Sequence, residues 1–156
     1  MAGARYTITI DGQEAIQKRI NHLLQAGTNL QPAFQDIGEM LLISHSDRWE
    51  RQVSPDGVPW AALSDDYKKR KKKNQSLILV LNQHLGRELN YLASPQAFEF
   101  GTNSEYGAIH HFGGSLLSQG IARPQNAAIP ARPWLGVSQD DISEIYDILG
   151  DFLMDK

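Results

Sequence analysis

Tyr106-Gly107-Ala108-Ile109-His110-His111-Phe112-Gly113-Gly114, then a nearly uncharged connector, then Ile129-Pro130-Ala131-Arg132-Pro133-Trp134-Leu135-Gly136, form the stretch that decides the fold. An earlier segment, Gly57-Val58-Pro59-Trp60-Ala61-Ala62-Leu63, has the same make-up. Glycine serves where a backbone turns or approaches closely, proline where φ is fixed, and tryptophan as a large buried anchor. Both segments therefore read as specific packing, with core anchoring the expected role of Trp60 and Trp134. Aromatic side chains also dominate interface hot spots, which keeps Trp134 a candidate for contact with a partner. Arg132, between Ala131 and Pro133, is placed to pair with an acid of its own or of a neighbouring subunit.

Outward from this stretch, the pattern alternates between helix and strand. Tyr6-Thr7-Ile8-Thr9-Ile10 has the period of a half-buried strand, and Asp11-Gly12 is a turn signal. Ile16, Ile20, Leu23 and Leu24 then fall at helical spacing, with Gly27 as a stop. Asn29 can cap a second helix with Pro32 in its first turn. Leu30, Phe34, Ile37, Leu41 and Trp49 lie on one face of it, so a long helix to about Arg51 is the expected spine. Pro55-Asp56-Gly57 ends it. Ser64 caps a short helix with Asp65 and Asp66 at its start and a basic run at its end, both suited to the helix dipole.

The Leu77-Ile78-Leu79-Val80-Leu81 run fits strand or helix. Leu81, Leu85, Leu89 and Leu92 step by about one turn, which favours helix through this region. Tyr91 to Ser94 and Ala97 to Gly101 also fit a hairpin around Pro95-Gln96. Ser104-Glu105 caps a short helix through Phe112, which Gly113-Gly114 breaks. Residues 115–128 carry a single charge, Arg123, and no pattern, so a mobile loop is expected there. Ser138 caps a terminal helix with Asp140 and Asp141 in its first turn. Its apolar face is Ile142, Ile145, Leu149, Phe152 and Leu153, and its remainder is strongly acidic. Long amphipathic helices with short strands indicate an α+β fold, a small antiparallel sheet packed by helices, in one domain over residues 1–156.

Composition narrows the function. No apolar run reaches the ~18–20 residues that span a bilayer, and the N-terminus has no signal-peptide core. Without cysteine there are no disulfides, thiolate metal sites or Cys nucleophiles. Synthesis in the cytosol and no membrane contact are expected. The net charge of -3 hides an asymmetry: Lys68, Lys69, Arg70, Lys71, Lys72 and Lys73 hold six of the 15 Lys and Arg, leaving nine against 18 acids. The chain is an acidic body with one concentrated basic segment. That segment is a solvated helix end, or it touches DNA or an acidic surface. Six charges on one subunit give only salt-sensitive DNA affinity, though a ring of subunits would multiply them around a lumen.

The chemical templates are not met. Adjacent His110 and His111 point about 100° apart on a helix, too divergent to share an ion, and His22, His45 and His84 have no partner at ligand spacing. There is no Gly-x-Ser-x-Gly elbow and no phosphate-binding Lys-Ser/Thr ending to the glycine-rich segments. No catalytic residue, cofactor or metal is expected, and no enzymatic activity.

A Gly-x-x-Trp-x-x-Leu segment (Gly57, Trp60, Leu63), a Tyr-Gly-Ala-Ile-His-x-Phe-Gly-Gly segment (Tyr106, His110, Phe112, Gly113, Gly114) and an Ile-Pro-Ala-Arg-Pro-Trp-Leu-Gly segment (Pro130, Arg132, Pro133, Trp134, Leu135, Gly136) follow in that order. Together they resemble the phage virion-morphogenesis family, which includes tail-completion proteins of P2-type phages and a counterpart in Mu-like phages. The resemblance runs from about Phe34 to the C-terminus. It departs from the family where Asn82-Gln83-His84 stands in place of Ser/Thr-Gly. It implies a subunit similar to those of tail-terminator rings, a hexamer being favoured, with His110 a packing residue beside Phe112. It further implies a late assembly role at the head–tail junction of a contractile-tailed phage, in the host cytoplasm and in the virion at the tail end or neck. The partners would be tail-tube, terminator and head–neck proteins, with packaged DNA in the lumen. A capsid-assembly factor and a DNA-binding module are the alternatives. The opposite charges of the terminal helix and the Lys68–Lys73 run allow contacts between neighbouring subunits.

Overall fold

A computed structural model describes residues 13–80, 84–115 and 128–154. The chain begins with two helices, α1 (Gln13–Thr28) and α2 (Gln31–Arg51), followed by two short ones, α3 (Asp65–Arg70) and α4 (His84–Arg87). A hairpin follows, β1 (Leu89–Ala93) and β2 (Phe98–Thr102), then α5 (Gly107–Phe112), the two-residue strands β3 (Gly114–Ser115) and β4 (Ala128–Ile129), and α6 (Gln139–Met154). The class is α+β. The expected strand Tyr6–Ile10 and positions 116–127 of the expected loop lie outside the described residues. Ser115 pairs with Ala128, so the two ends of that connector lie side by side.

Helix α2 is the spine. Ala33, Ile37, Leu41, His45 and Arg48 are its buried stripe, at helical spacing. Its N-cap is Leu30 and not Asn29, although the Asn29 side chain still accepts a hydrogen bond from the Gln31 N–H at 3.1 Å. At the other end Gln52 takes a left-handed conformation (φ 58°) and its N–H returns to the carbonyls of the last turn. The chain then makes a tight turn in which Ser54 N–H donates to Val58 O and Gly57 sits at φ +75°.

The β1–β2 hairpin is antiparallel, with Tyr91 opposite Phe100, and it lies against α2. Tyr91, Phe98 and Phe100 stack along its inner side, Phe98 also meets Phe34 at 5.8 Å, and Phe100 meets the His45 ring at 4.7 Å. Gly38 makes this close approach possible: a Cβ there would stand 2.5 Å from the Tyr91 ring. Helix α6 packs across α2 and also against α1. On α1, Ile16, Ile20 and Leu24 remain largely exposed.

The helix expected through Leu77–Leu92 is not formed. Among the described residues of this region only His84–Arg87 is helical, and Leu89–Ala93 is strand. Two causes are visible. Asn74 (φ 51°) and Leu79 (φ 58°) are left-handed, which no L-residue helix continues through. The Ile78 N–H donates to the Gln52 side-chain oxygen and the Gln52 amide donates to Ile78 O, so both backbone groups are satisfied across 26 residues. The leucine spacing was a coincidence: Leu85 is buried, whereas Leu92 points away from the core and is 68 % exposed. Among the described residues no helix is long and apolar enough to cross a membrane.

Candidate functional site

The two glycine- and proline-rich segments meet over the end of α2. Trp60 and Trp134 are both buried, and each packs edge-on against Trp49, at 5.1 and 5.6 Å between ring centroids. Leu85 completes the cluster, with Ile78, Leu79, Leu89 and Leu135 packed around it. Both buried indoles are satisfied: Trp60 Nε1–H donates to Pro133 O at 2.8 Å and Trp134 Nε1–H to Gly107 O at 3.0 Å. A single tryptophan pair thereby ties the 57–63 segment to the 129–136 segment and that segment to α5.

Arg132 makes the second tie. It is 5 % exposed, and its guanidinium donates to two backbone carbonyls, Ala61 O at 2.7 Å and Ala62 O at 3.1 Å. Among the described residues it meets no acid, because carbonyls of the neighbouring segment occupy its donors. Its own N–H donates to His110 O. Gly113 lets these strands of chain come together. It sits at φ +72°, and a Cβ on it would lie 2.7 Å from Ala131 N.

Other members of the motif are spread around this cluster. Tyr106, Phe112, Pro130 and Pro133 are exposed, whereas Leu63, Leu135 and Gly136 are half-buried. His111, and not His110, makes the ring contact with Phe112, at 4.6 Å. His110 is half-buried, and burial followed by the nearby Arg132 charge holds its pKa below the ordinary value. Trp134 is 2 % exposed, so it shapes this region from within and presents no surface of its own.

A polar cluster that the sequence did not reveal lies under the same loop. Arg48 on α2 and Asp141 on α6 form an ion pair at 2.6 Å, with both side chains buried. Ser44 Oγ–H donates to Asp141, Arg48 donates to Ser44 Oγ and to Gly136 O, and Asp141 accepts the Ser138 N–H. Burial alone would raise the Asp141 pKa, but the Ser138 N–H, the Ser44 hydroxyl and Arg48 together hold it below the usual carboxylate value. His45 is buried; its Nδ1 is 2.8 Å from Leu41 O, which assigns the proton to that nitrogen and leaves Nε2 to accept from Arg48 at 3.1 Å. Burial, then the Arg48 charge, lowers its pKa to about 4. The signal for Arg48 was present: Leu41, His45 and Arg48 continue the α2 stripe at i, i+4 and i+7. Asp141 carried no such signal, because capping alone accounts for an acid three residues after Ser138.

The basic run divides. Ser64 Oγ accepts the Tyr67 N–H and starts α3, whose last turn carries Lys68, Lys69 and Arg70. These three, with Lys72 and Lys73, are exposed. Lys71 is not part of that surface. It is 5 % exposed, and its ammonium donates to Asn74 O at 2.7 Å and Leu77 O at 2.5 Å, closing the turn beyond α3.

Between α2 and α6 lies an open groove of about 900 Å³. Asp36, Asp47, Asp56, Asp140 and Glu144 line it, with Ile43, 65 % exposed, on its α2 side. Among the described residues no three His, Asp or Glu side chains cluster as metal ligands.

Fold and site together define a small α+β protein, held in shape by buried tryptophan and arginine and presenting surfaces of opposite charge. The chain belongs to the phage virion morphogenesis family, whose model matches residues 11–154, and its role is in phage assembly. It is 31 % identical over 113 residues to the putative capsid assembly protein G of Escherichia phage Mu, covering 70 % of each chain. It is 30 % identical over 108 residues to Mu-like prophage FluMu G protein 1 of Haemophilus influenzae, covering 65 % of this chain and 64 % of that one. Against FluMu G protein 2 of the same organism it is 26 % identical over 145 residues, 93 % of this chain and 94 % of the other. No solved structure matches it.

Proposed function

We propose that the protein acts by binding alone, as a subunit that joins other copies into a closed ring at the junction of head and tail late in virion construction. The observation that carries this reading is the construction of the motif region. Its tryptophans, its arginine and its glycines are consumed in fixing backbone shape, with their donors satisfied by carbonyls, while Tyr106, Phe112, Pro130 and Pro133 are left on the outside. Such a surface presents a fixed form to a partner without ordering cost. Charge segregated to separate segments, with the basic run outside the acidic groove, suits head-to-tail association, which closes when the rotation per subunit fits. The place of action is the host cytoplasm during assembly, with the ring at the tail end or neck.

A second reading, a role in building the capsid, is favoured by the description of the Mu relative as a putative capsid assembly protein. Electron microscopy of particles made without the protein separates the two. Full heads beside complete, unattached tails are expected. Malformed or absent heads would replace the junction reading by the capsid reading, and tails of uncontrolled length would make the protein a length terminator.

A further inference from the structure

The groove between α2 and α6 is acidic and, among the described residues, nothing fills it. Five exposed carboxylates line it, whereas of its two arginines Arg48 is already neutralised by Asp141, leaving Arg51. Its volume, about 900 Å³, admits a short helix with side chains. The only dense positive surface among the described residues is α3 with the two lysines after it: Lys68, Lys69, Arg70, Lys72 and Lys73 are all exposed. No residue of 64–73 lines the groove of its own chain. Each half of the match also carries an apolar contact point, Tyr67 (41 % exposed) on α3 and Ile43 (65 % exposed) at the groove.

We infer that α3 of one copy docks into the α2–α6 groove of the next, so that the basic run is the subunit-joining element. This rests on the reading that copies assemble, and it names the surfaces. Every subunit then offers one helix and one groove, on different surfaces, so the contact is heterologous and propagates around a ring. Opposite charge supplies direction and register, and the Tyr67–Ile43 contact supplies apolar burial at the centre. Lys71 is excluded from the contact because its ammonium holds the turn of its own chain. It sets the position of Lys72 and Lys73 beyond the helix.

The test is reciprocal charge reversal with native mass measurement. Lys68→Glu, Lys69→Glu and Arg70→Glu are made in one protein, and Asp36→Lys, Asp47→Lys and Glu144→Lys in another. All six sites are exposed. Each variant alone is expected to lose association by about tenfold or more at low salt. Mixed one to one, they are expected to regain oligomers alternating the two proteins, since reversed helix meets reversed groove and native helix meets native groove. A milder variant, Lys68→Gln with Lys69→Gln, keeps the test open if a reversed protein fails to fold. Wild-type mass in the first variant alone, or failure of the mixture to reassemble, overturns the inference. So does a protein that loses only retention on double-stranded DNA, since the run would then serve nucleic acid. These results leave the particle phenotype untouched, so the assembly reading stands or falls separately.

Discussion

The two sides of α2 do opposite work. Toward the 57–63 and 129–136 segments, Trp49 lies between the buried Trp60 and Trp134, Arg48 donates to Gly136 O, and Arg132 is held by carbonyls. Toward α6 and solvent, the same helix gives Asp36, Ile43 and Asp47 to an open groove. The first side spends its chemistry inside the subunit and the second leaves it outside. The contrast separates residues that hold the fold from residues left to solvent, and the two sets call for different tests.

Breaking the buried side should have the largest effect. Trp134→Ala removes an indole that is 2 % exposed together with its bond to Gly107 O. A loss of about 4 kcal/mol in denaturant unfolding is expected. Asp141→Asn leaves Arg48 buried against a neutral group, and about 3 kcal/mol should be lost. Equal stability in that variant would mean that the pair is not closed in solution.

Acid should attack the same side. The folded His45 binds its proton only near pH 4, whereas the unfolded residue binds it near 6.5. Between those values the unfolded state holds more protons, so stability falls as pH falls, by up to about 3 kcal/mol across the window. Asp141 acts in the same direction at lower pH: its contribution is present above the ordinary carboxylate value of 3.8 and is lost as pH falls through its lowered folded value. Chemical denaturation from pH 7 to 4 measures the slope, and His45→Gln should flatten the part between 6.5 and 4. Gly113→Ala should cost about 2 kcal/mol, because it forces an L-residue to φ +72° against Ala131. The groove side sharpens the comparison at the small end. Asp36→Lys with Asp47→Lys should leave the melting temperature within about 2 °C while changing the assembled mass.

How much of this the sequence disclosed follows from the range of each interaction. Several local signals were sound: α2 ends at Arg51, α6 follows Ser138, Ser64 caps α3, and the hairpin turns around Pro95-Gln96, whereas Leu30 and Tyr106 take the cap positions expected of Asn29 and Ser104-Glu105. Interactions that reach across the chain were not legible. Gln52 holds Ile78 from 26 residues away and removes the helix that leucine spacing implied. Asp141 caps its own helix and also binds Arg48, 93 residues earlier, and only the first role shows in the pattern. Lys71 sits inside a run of cations and differs from them only because two carbonyls of the next turn converge on its ammonium. The meeting of the 57–63 and 129–136 segments likewise needed coordinates, although tryptophan, proline and glycine in both marked them as packing.

The most direct measurement of the central claim is the native mass of the purified protein across concentration and salt. One closed oligomer at low salt, dissociating as ionic strength rises, is the expected result, because the joining surfaces are charged and screened by ions. A monomer at every concentration, or an oligomer indifferent to salt, would contradict it.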